Sequence, residues 1–166
     1  MSTPTTVKRM RFDTETLSYD TYTFSDWVDI FKKQAMFAVE DVDGIVYDFT
    51  EWISELNMTH NDIDGEGAGR DKKSGKMKRV YVTNKHDFQI KIVDGVPQPI
   101  ARRIFSLVRS NDDRQSFTLW WQHPCDTADI AYREFYCSTI NYGAMRYNKS
   151  KDKCYFYGMS FKVIQM

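Results

Sequence analysis

Three histidines and three cysteines are the side chains of this 166-residue chain best suited to nucleophilic, proton-transfer or metal chemistry. His60, His86 and His123 have no metal-ligand spacing with one another or with a cysteine pair, and Cys125, Cys137 and Cys154 form no C-x-x-C. No G-x-S-x-G elbow, phosphate-binding glycine loop or H-E-x-x-H sequence occurs. Cys125 and His123 could in principle pair, the imidazole taking the thiol proton so that the sulfur can attack. Pro124 separates them in a turn, however, and such dyads ordinarily assemble from distant segments. Cys137 and Cys154 sit in aromatic, strand-like segments, where a thiol behaves as a small core residue, so inert thiols are expected. No cofactor, metal site or catalytic residue is assigned.

The stretch His60-Asn61-Asp62-Ile63-Asp64-Gly65 partly matches a calcium loop, since Asp62, Asp64 and Gly65 fit its third, fifth and sixth positions. The first position is then His60 and the twelfth the short Asp71, with no flanking helices, so a solvated acidic turn is the better reading. The adjoining basic run carries more information. Arg70, Lys72, Lys73, Lys76, Lys78 and Arg79 place six cations within ten residues, directly after Asp62, Asp64 and Glu66. Such a run can bind an anionic polymer or simply be a solvated loop. The change of sign offers a third use: an acidic and a basic limb on one projecting arm suit docking onto a neighbouring copy, because complementary charge sets register and partner choice. Ring contact and plain loop rank level, with nucleic acid behind them.

The elements that would position these groups are mostly strands. Residues 1–23 are polar and Thr/Tyr-rich and read as an arm. Ser25-Asp26 starts a short helix carrying Trp27, Ile30 and Phe31 to about Gln34. Met36–Val39 and Ile45–Phe49 flank Asp43-Gly44, the signature of a tight hairpin, and a strand runs from Trp52 to Leu56 or Met58. Asn61 to Gly75, punctuated by Gly65, Gly67 and Gly69, has no apolar periodicity and predicts a projecting hairpin arm. The chain re-enters the sheet at Met77–Val82, and Phe88, Ile90 and Ile92 alternate with Gln89 and Lys91. After Asp94-Gly95, Pro97 and Pro99 introduce a helix with Ile100, Ile104, Leu107 and Val108 on one face and Arg102, Arg103, Ser106 and Arg109 on the other. Phe117, Leu119 and Trp121 alternate along another strand, and Tyr132–Cys137 forms the next. Tyr155, Tyr157, Met159, Phe161 and Val163 predict a single closing strand. The fold expected is mainly β: an antiparallel β-sandwich or half-barrel of about eight strands, with one packed amphipathic helix and a short N-terminal helix. Residues 1–34 form an N-terminal arm with its helix, and 35–166 the main domain.

Composition agrees. Ten Tyr, eleven Phe and four Trp bring aromatics to 15% of the chain, a content that suits pleated, half-buried surfaces. The 23 Lys+Arg equal the 23 Asp+Glu, which argues against a dedicated duplex-DNA binder and removes long-range repulsion between copies. No run of about eighteen apolar residues predicts a membrane span, and Met1–Thr6 lacks a secretory n-region and h-region, so synthesis and retention in the cytosol are expected unless an assembly carries the protein out. Most rings fall on core-facing positions; Trp120, Tyr142 and Tyr147 are the candidates for exposure and contact.

The order of elements resembles small tail structural proteins of long-tailed bacteriophages. The likeness rests on the hairpin Met36–Phe49, the arm Gly67–Arg79 (G-x-G-R-D-x(3)-G-x-M-x-R), the strand with Phe88 and Ile90, and the helix Ile100–Val108. It continues through Phe117–Pro124, Phe135-Tyr136-Cys137 and Met159–Ile164, about four-fifths of the chain; residues 1–34 have no counterpart. The resemblance implies a non-catalytic virion component, a β-sandwich subunit of the tail tube or distal tail/baseplate hub. It would assemble as a ring, typically a hexamer, with tube, tape-measure or baseplate partners and DNA only as passing cargo. Contact between subunits would then fall to Asp62, Asp64, Glu66, Arg70, Lys72, Lys73, Lys76, Lys78, Arg79, Arg102, Arg103 and Arg109. The alternative is a single-stranded nucleic-acid-binding accessory protein that uses the basic arm and exposed aromatics. An enzyme built on Cys125 and His123 is a third reading, which requires a rapidly alkylating thiol.

Overall fold

The structure is a computed structural model that describes all residues except 1–3, 14–15, 32–36, 65–68, 71–72, 79–80, 111–113 and 123–129. Strands β1 (Thr6–Asp13) and β2 (Thr16–Thr23) precede helix α1 (Phe24–Phe31). β3 (Phe37–Glu40) and β4 (Val46–Asp48) form the Asp43-Gly44 hairpin, and a 3₁₀ turn (Thr50–Trp52) leads into β5 (Ile53–Asp64). Short strands β6 (Gly69–Arg70) and β7 (Met77–Lys78) lie beyond it, and β8 (Tyr81–Ile92) returns. Then come β9 (Val96–Pro97), helix α2 (Gln98–Val108), β10 (Phe117–Gln122), β11 (Ile130–Asn141), β12 (Ala144–Asn148), β13 (Lys153–Tyr157) and β14 (Ser160–Gln165).

Nine strands make one sheet in the order β2-β1-β4-β3-β10-β11-β14-β8-β5, a second sheet holds β12-β13-β9, and β6-β7 pair alone. Among the described residues the fold is mainly β with two helices, as expected, but the large sheet is mixed: β1 runs parallel to β4 through Val7↔Val46 and Arg9↔Asp48. It is an open sheet with ends at β2 and β5.

Both faces of this sheet are buried where the helices sit. Alternation along β10 shows how: Phe117, Leu119 and Trp121 join one cluster and Trp120 the other. The larger cluster contains Met10, Val39, Phe88, Ile90, Phe135, Phe161 and Val163 together with Ile100, Ile104, Leu107 and Val108 of α2. Pro97 and Pro99 start α2 as expected, since their fixed φ suits the first turn and the missing N–H has no partner to lose there. The smaller cluster, on the opposite face, gathers Val7, Ala38, Val46 and Trp120 under Trp27 and Phe31 of α1. The hydroxyl of Thr23 accepts the backbone N–H of Asp26 at 3.2 Å, capping α1 at its start.

The polar residues 1–23, expected to form an arm, supply two of these strands, and Val7 and Met10 are fully buried. Polar composition misleads here because β2 is an edge strand, whose outward positions stay wet, while β1 lies inside the sheet with Val7 buried on one face and Met10 on the other. The single closing strand predicted from Tyr155 to Val163 is two strands in two sheets. Gly158, at φ +73, breaks it; a side chain is disfavoured at that dihedral, and the alternation merely resumes in phase beyond it. The predicted segment Met77–Val82 is divided between β7, which takes Met77 and Lys78, and β8, which takes Tyr81 and Val82 and runs on through Phe88–Ile92, while β5 stays paired out to Asp64↔Tyr81.

A buried charge ties helix α1 to the sheet. The Asp48 carboxylate, at 0% exposure, accepts the Trp27 Nε1–H at 2.8 Å, and the backbone N–H and hydroxyl of Thr50 at 2.8 and 2.6 Å. Arg9 Nε stands 3.6 Å from it, and the Arg9 guanidinium lies 3.9 Å from the Phe31 ring centroid. Removing the acceptor leaves the buried indole N–H without its partner and takes from the buried Arg9 one of its two carboxylates, the other being Glu51 at 3.4 Å. Asp48→Ala is expected to lower unfolding stability by about 3–5 kcal/mol in urea denaturation, with Asp48→Asn intermediate. Met10→Ala is expected to cost about 2–5 kcal/mol, the value for a buried methionine; a loss below about 1 kcal/mol shows β1 to be peripheral.

Candidate functional site

The best-formed functional feature is the surface that this sheet leaves unpartnered. Strand β14 covers β8 only from Asp87 to Lys91, so β5 and β8 continue outward from His60↔His86 as a two-stranded shaft. The predicted arm therefore exists, but it is more regular than a glycine-rich loop implies. Asp62 and Asp64 occupy the outer shaft opposite Asn84 and Tyr81. Arg70 and Lys78 lie on β6 and β7, which pair as Gly69↔Lys78 and Arg70↔Met77, with exposed Lys73 and Lys76 in the turn between. Charge thus changes sign along the arm from shaft to tip, and the shaft's acids lie on the β5 limb while the β8 limb carries Lys85 opposite Asn61. Glu66, Lys72 and Arg79 lie outside the described residues.

Helix α2 divides its three arginines. Arg102 and Arg109 are exposed. Arg103 instead turns inward: its Nη2 is 3.3 Å from Asp41 Oδ2, and its guanidinium lies 4.5 Å from the Tyr47 ring centroid. Arg114 Nη1 takes the other Asp41 oxygen at 3.0 Å, and its Nη2 donates to the Glu40 carbonyl at 3.1 Å. Asp41 therefore clamps α2 and the segment before β10 to the β3–β4 hairpin. Burial of the phenol and the nearby Asp43 push Tyr47 above its usual pKa. Arg103 is accordingly a structural cation, which its position on the polar stripe of α2 did not reveal.

The aromatic candidates also divide. Tyr142 and Tyr147 are exposed as expected, 49% and 57%, beside Met145 at 60% on the open strand β12. Trp120 is not: it is 5% exposed, donates Nε1–H to Glu40 Oε2 at 3.1 Å, and stacks on Tyr132 with centroids 4.5 Å apart. Helix α1 covers it, a contact invisible to strand alternation alone. Gly143 makes the tight turn into β12, since a Cβ there would meet the Tyr157 carbonyl oxygen at 2.0 Å.

One pair escaped sequence reasoning. His60 Nδ1 lies 3.2 Å from His86 Nε2 across the root of the arm, and Gln165 Oε1 accepts the backbone N–H of His86 at 2.9 Å. Only the hairpin register brings them together, and the uncertain length of the glycine-rich tip hides that register. Among the described residues no group of three or more His, Cys, Asp or Glu side chains could hold a metal ion. His60, Asp62 and Asp64 lie along extended β5, a conformation that cannot wrap a calcium ion. The His123–Cys125 pair lies outside the described residues. Among the described residues no helix is long and apolar enough to cross a membrane.

No family model and no curated protein matches the sequence. Among solved structures the likeness is to chains of gene transfer agent particles. One belongs to the tail of an empty particle with C6 symmetry: TM-score 0.49, 13% identity, covering 81% of this chain and 92% of that one. Another belongs to the virion of the native particle: TM-score 0.47, 11% identity, with the same coverage of 81% and 92%.

Cys137 and Cys154 are half-buried free thiols. Burial pushes the Cys137 thiol up to about 11, so little thiolate exists at neutral pH. With Cys125 and Cys154 replaced by Ser, iodoacetamide is expected to modify Cys137 slowly at pH 7, at a rate rising up to pH about 11. Rapid modification at pH 7 contradicts that environment.

Proposed function

We propose that the chain is a non-catalytic structural subunit of a phage-type tail, a β-sandwich protein that self-assembles into a hexameric ring of the tail tube or distal tail/baseplate hub. The observation that carries the reading is the pair of open ends on one large sheet, β2 and the twelve-residue β5, with β5 running on into a charged arm. An edge strand presents a row of backbone donors and acceptors to another chain. Two different edges on one subunit suit head-to-tail contact, which closes into a ring when the rotation allows. Helices cover the two faces of the sheet, so its edges, the arm and the open strand β12 remain for neighbours. The sign change from Asp62 and Asp64 to Arg70, Lys73, Lys76 and Lys78 sets the register of such a contact, with Glu66, Lys72, Arg79, Arg102 and Arg109 contributing. Tube, tape-measure or baseplate proteins would be the further partners, DNA passes as cargo, and the protein resides in the virion tail.

Mass photometry and negative-stain imaging of the full chain test this. The expected result is a ring at six times the 19.6 kDa chain mass. A chain that stays monomeric at every concentration, alone and mixed with tail partners, contradicts the proposal. Salt-sensitive binding of oligonucleotides that is lost when Lys72, Lys73 and Lys76 are neutralised would favour the single-strand-binding alternative instead.

A further inference from the structure

Two helices of opposite surface charge sit on opposite faces of the sheet. On α1, Trp27 and Phe31 face inward, while Asp26, Asp29 and Ile30 point outward, Ile30 at 58% exposure. Spacings of three and four residues put these three on a single stripe. Neither aspartate makes an ion pair with another described residue. The lysines next in sequence, Lys32 and Lys33, lie outside the described residues.

On α2 the outward stripe is Arg102, Ser106 and Arg109, and neither of these arginines is ion-paired among the described residues. Beside it lies an open groove of about 410 Å³ lined by Leu17, Gln98, Pro99, Arg102, Arg103 and Ser106. Its apolar walls come from Leu17 and Pro99. Arg103 is held by Asp41, which leaves Arg102 as the cation at the groove able to meet a new carboxylate. Arg109, seven residues on, lies about 10 Å further along the helix.

We infer that the outward stripe of α1 docks into the α2 groove of a second copy of this chain. Ile30 enters between Leu17 and Pro99, Asp26 and Asp29 meet Arg102, and Arg109 adds longer-range attraction. The occupant is argued from complementarity: an exposed acidic–apolar stripe and a basic groove with apolar walls belong to the same molecule. They cannot meet within one copy, because α1 and α2 cover opposite faces, as the split of Trp120 from Leu119 and Trp121 shows. The contact is heterologous, so every docked copy offers a fresh stripe and a fresh groove. This deepens the ring-subunit reading and rests on it, adding a face-to-face contact to the edge contacts proposed there.

A charge-swap experiment on the full chain decides it. Asp26→Lys/Asp29→Lys makes both stripes basic, and Arg102→Glu/Arg109→Glu makes both acidic. In sedimentation velocity at low salt, each variant alone is expected to associate at least about tenfold more weakly than wild type, because attraction becomes repulsion at several positions. An equimolar mixture is expected to recover association, since lysine stripes meet glutamate grooves and aspartate stripes meet arginine grooves. Circular dichroism confirms that each variant is folded. If either reversal unfolds the chain, Ile30→Ala and Arg102→Gln serve instead, each expected to weaken association and the second to reduce its salt dependence. Wild-type-like association of the folded variants, or no recovery in the mixture, overturns the helix contact while leaving the ring reading intact. A wild-type chain that never associates overturns both.

Discussion

The carboxylate of Asp48 is the constraint around which the fold is arranged. An ion at 0% exposure is costly unless every part of it is matched, and here three segments supply the match: Arg9 from β1, Trp27 from α1, and the backbone N–H and hydroxyl of Thr50. Thr50 Oγ1 passes the connection on to β3, accepting the Phe37 N–H at 2.8 Å and lying 3.2 Å from the Phe37 carbonyl. These demands fix chain topology. Arg9 reaches Asp48 because β1 lies parallel to β4, and a parallel neighbour requires the chain to leave the sheet and come back. Helix α1 is that excursion, between the edge strand β2 and β3, and Trp27 makes the helix dock where the carboxylate can accept its N–H. The N-terminal segment is thereby part of the core, although few of its residues are apolar.

A sheet with a helix on each face has limited ways to meet another protein. Its apolar faces are consumed by α1 and by α2 with the small sheet, so contact falls to strand edges, to the extended β5–β8 arm and to the outer sides of the helices. Open, long edges are an aggregation hazard in a protein meant to stay monomeric, and proteins that leave them bare usually have a neighbour to fill them. That physical argument favours assembly more strongly than any single residue in the chain does. In the proposed assembly the arm would add direction, since acids on its shaft and cations at its tip favour one register of a neighbour.

Much of the core was legible in the sequence, because strand and helix periodicities report burial directly. Phe88, Ile90 and Ile92, the β10 alternation, and the buried stripe Ile100, Ile104, Leu107 and Val108 all follow from spacing. What spacing cannot report is which layer lies above a strand. Trp120 sits on the polar phase of β10 and would be solvated on a one-sided sheet; α1 makes it core. Arg103 looks like its exposed neighbour Arg102 until Asp41 is brought beneath it from a hairpin some sixty residues earlier. The His60–His86 contact depends on hairpin register, and the run from Tyr155 to Val163 keeps its phase across a glycine that changes sheets. Each miss is a long-range pairing, for which local pattern holds no signal.

The equality of 23 cations and 23 anions is then a sum of two different things. Part of it is consumed internally: Arg9 with Asp48 and Glu51, Arg11 with Asp20, Lys91 with Glu55, and Arg103 and Arg114 with Asp41. The surface pairs among these contribute little each, while the buried ones fix geometry more than they add stability. On four elements the charge left over among the described residues is of one sign. Aspartates lie on the outer shaft of the arm and on α1, and cations at the arm tip and on the outer stripe of α2. A mixed distribution would cancel within a few ångströms of the surface. Separation by element preserves local fields of both signs, at a net charge that imposes no repulsion between copies. In the proposed assembly, neutrality of this kind leaves self-association unopposed by long-range repulsion, and one-signed elements would orient it.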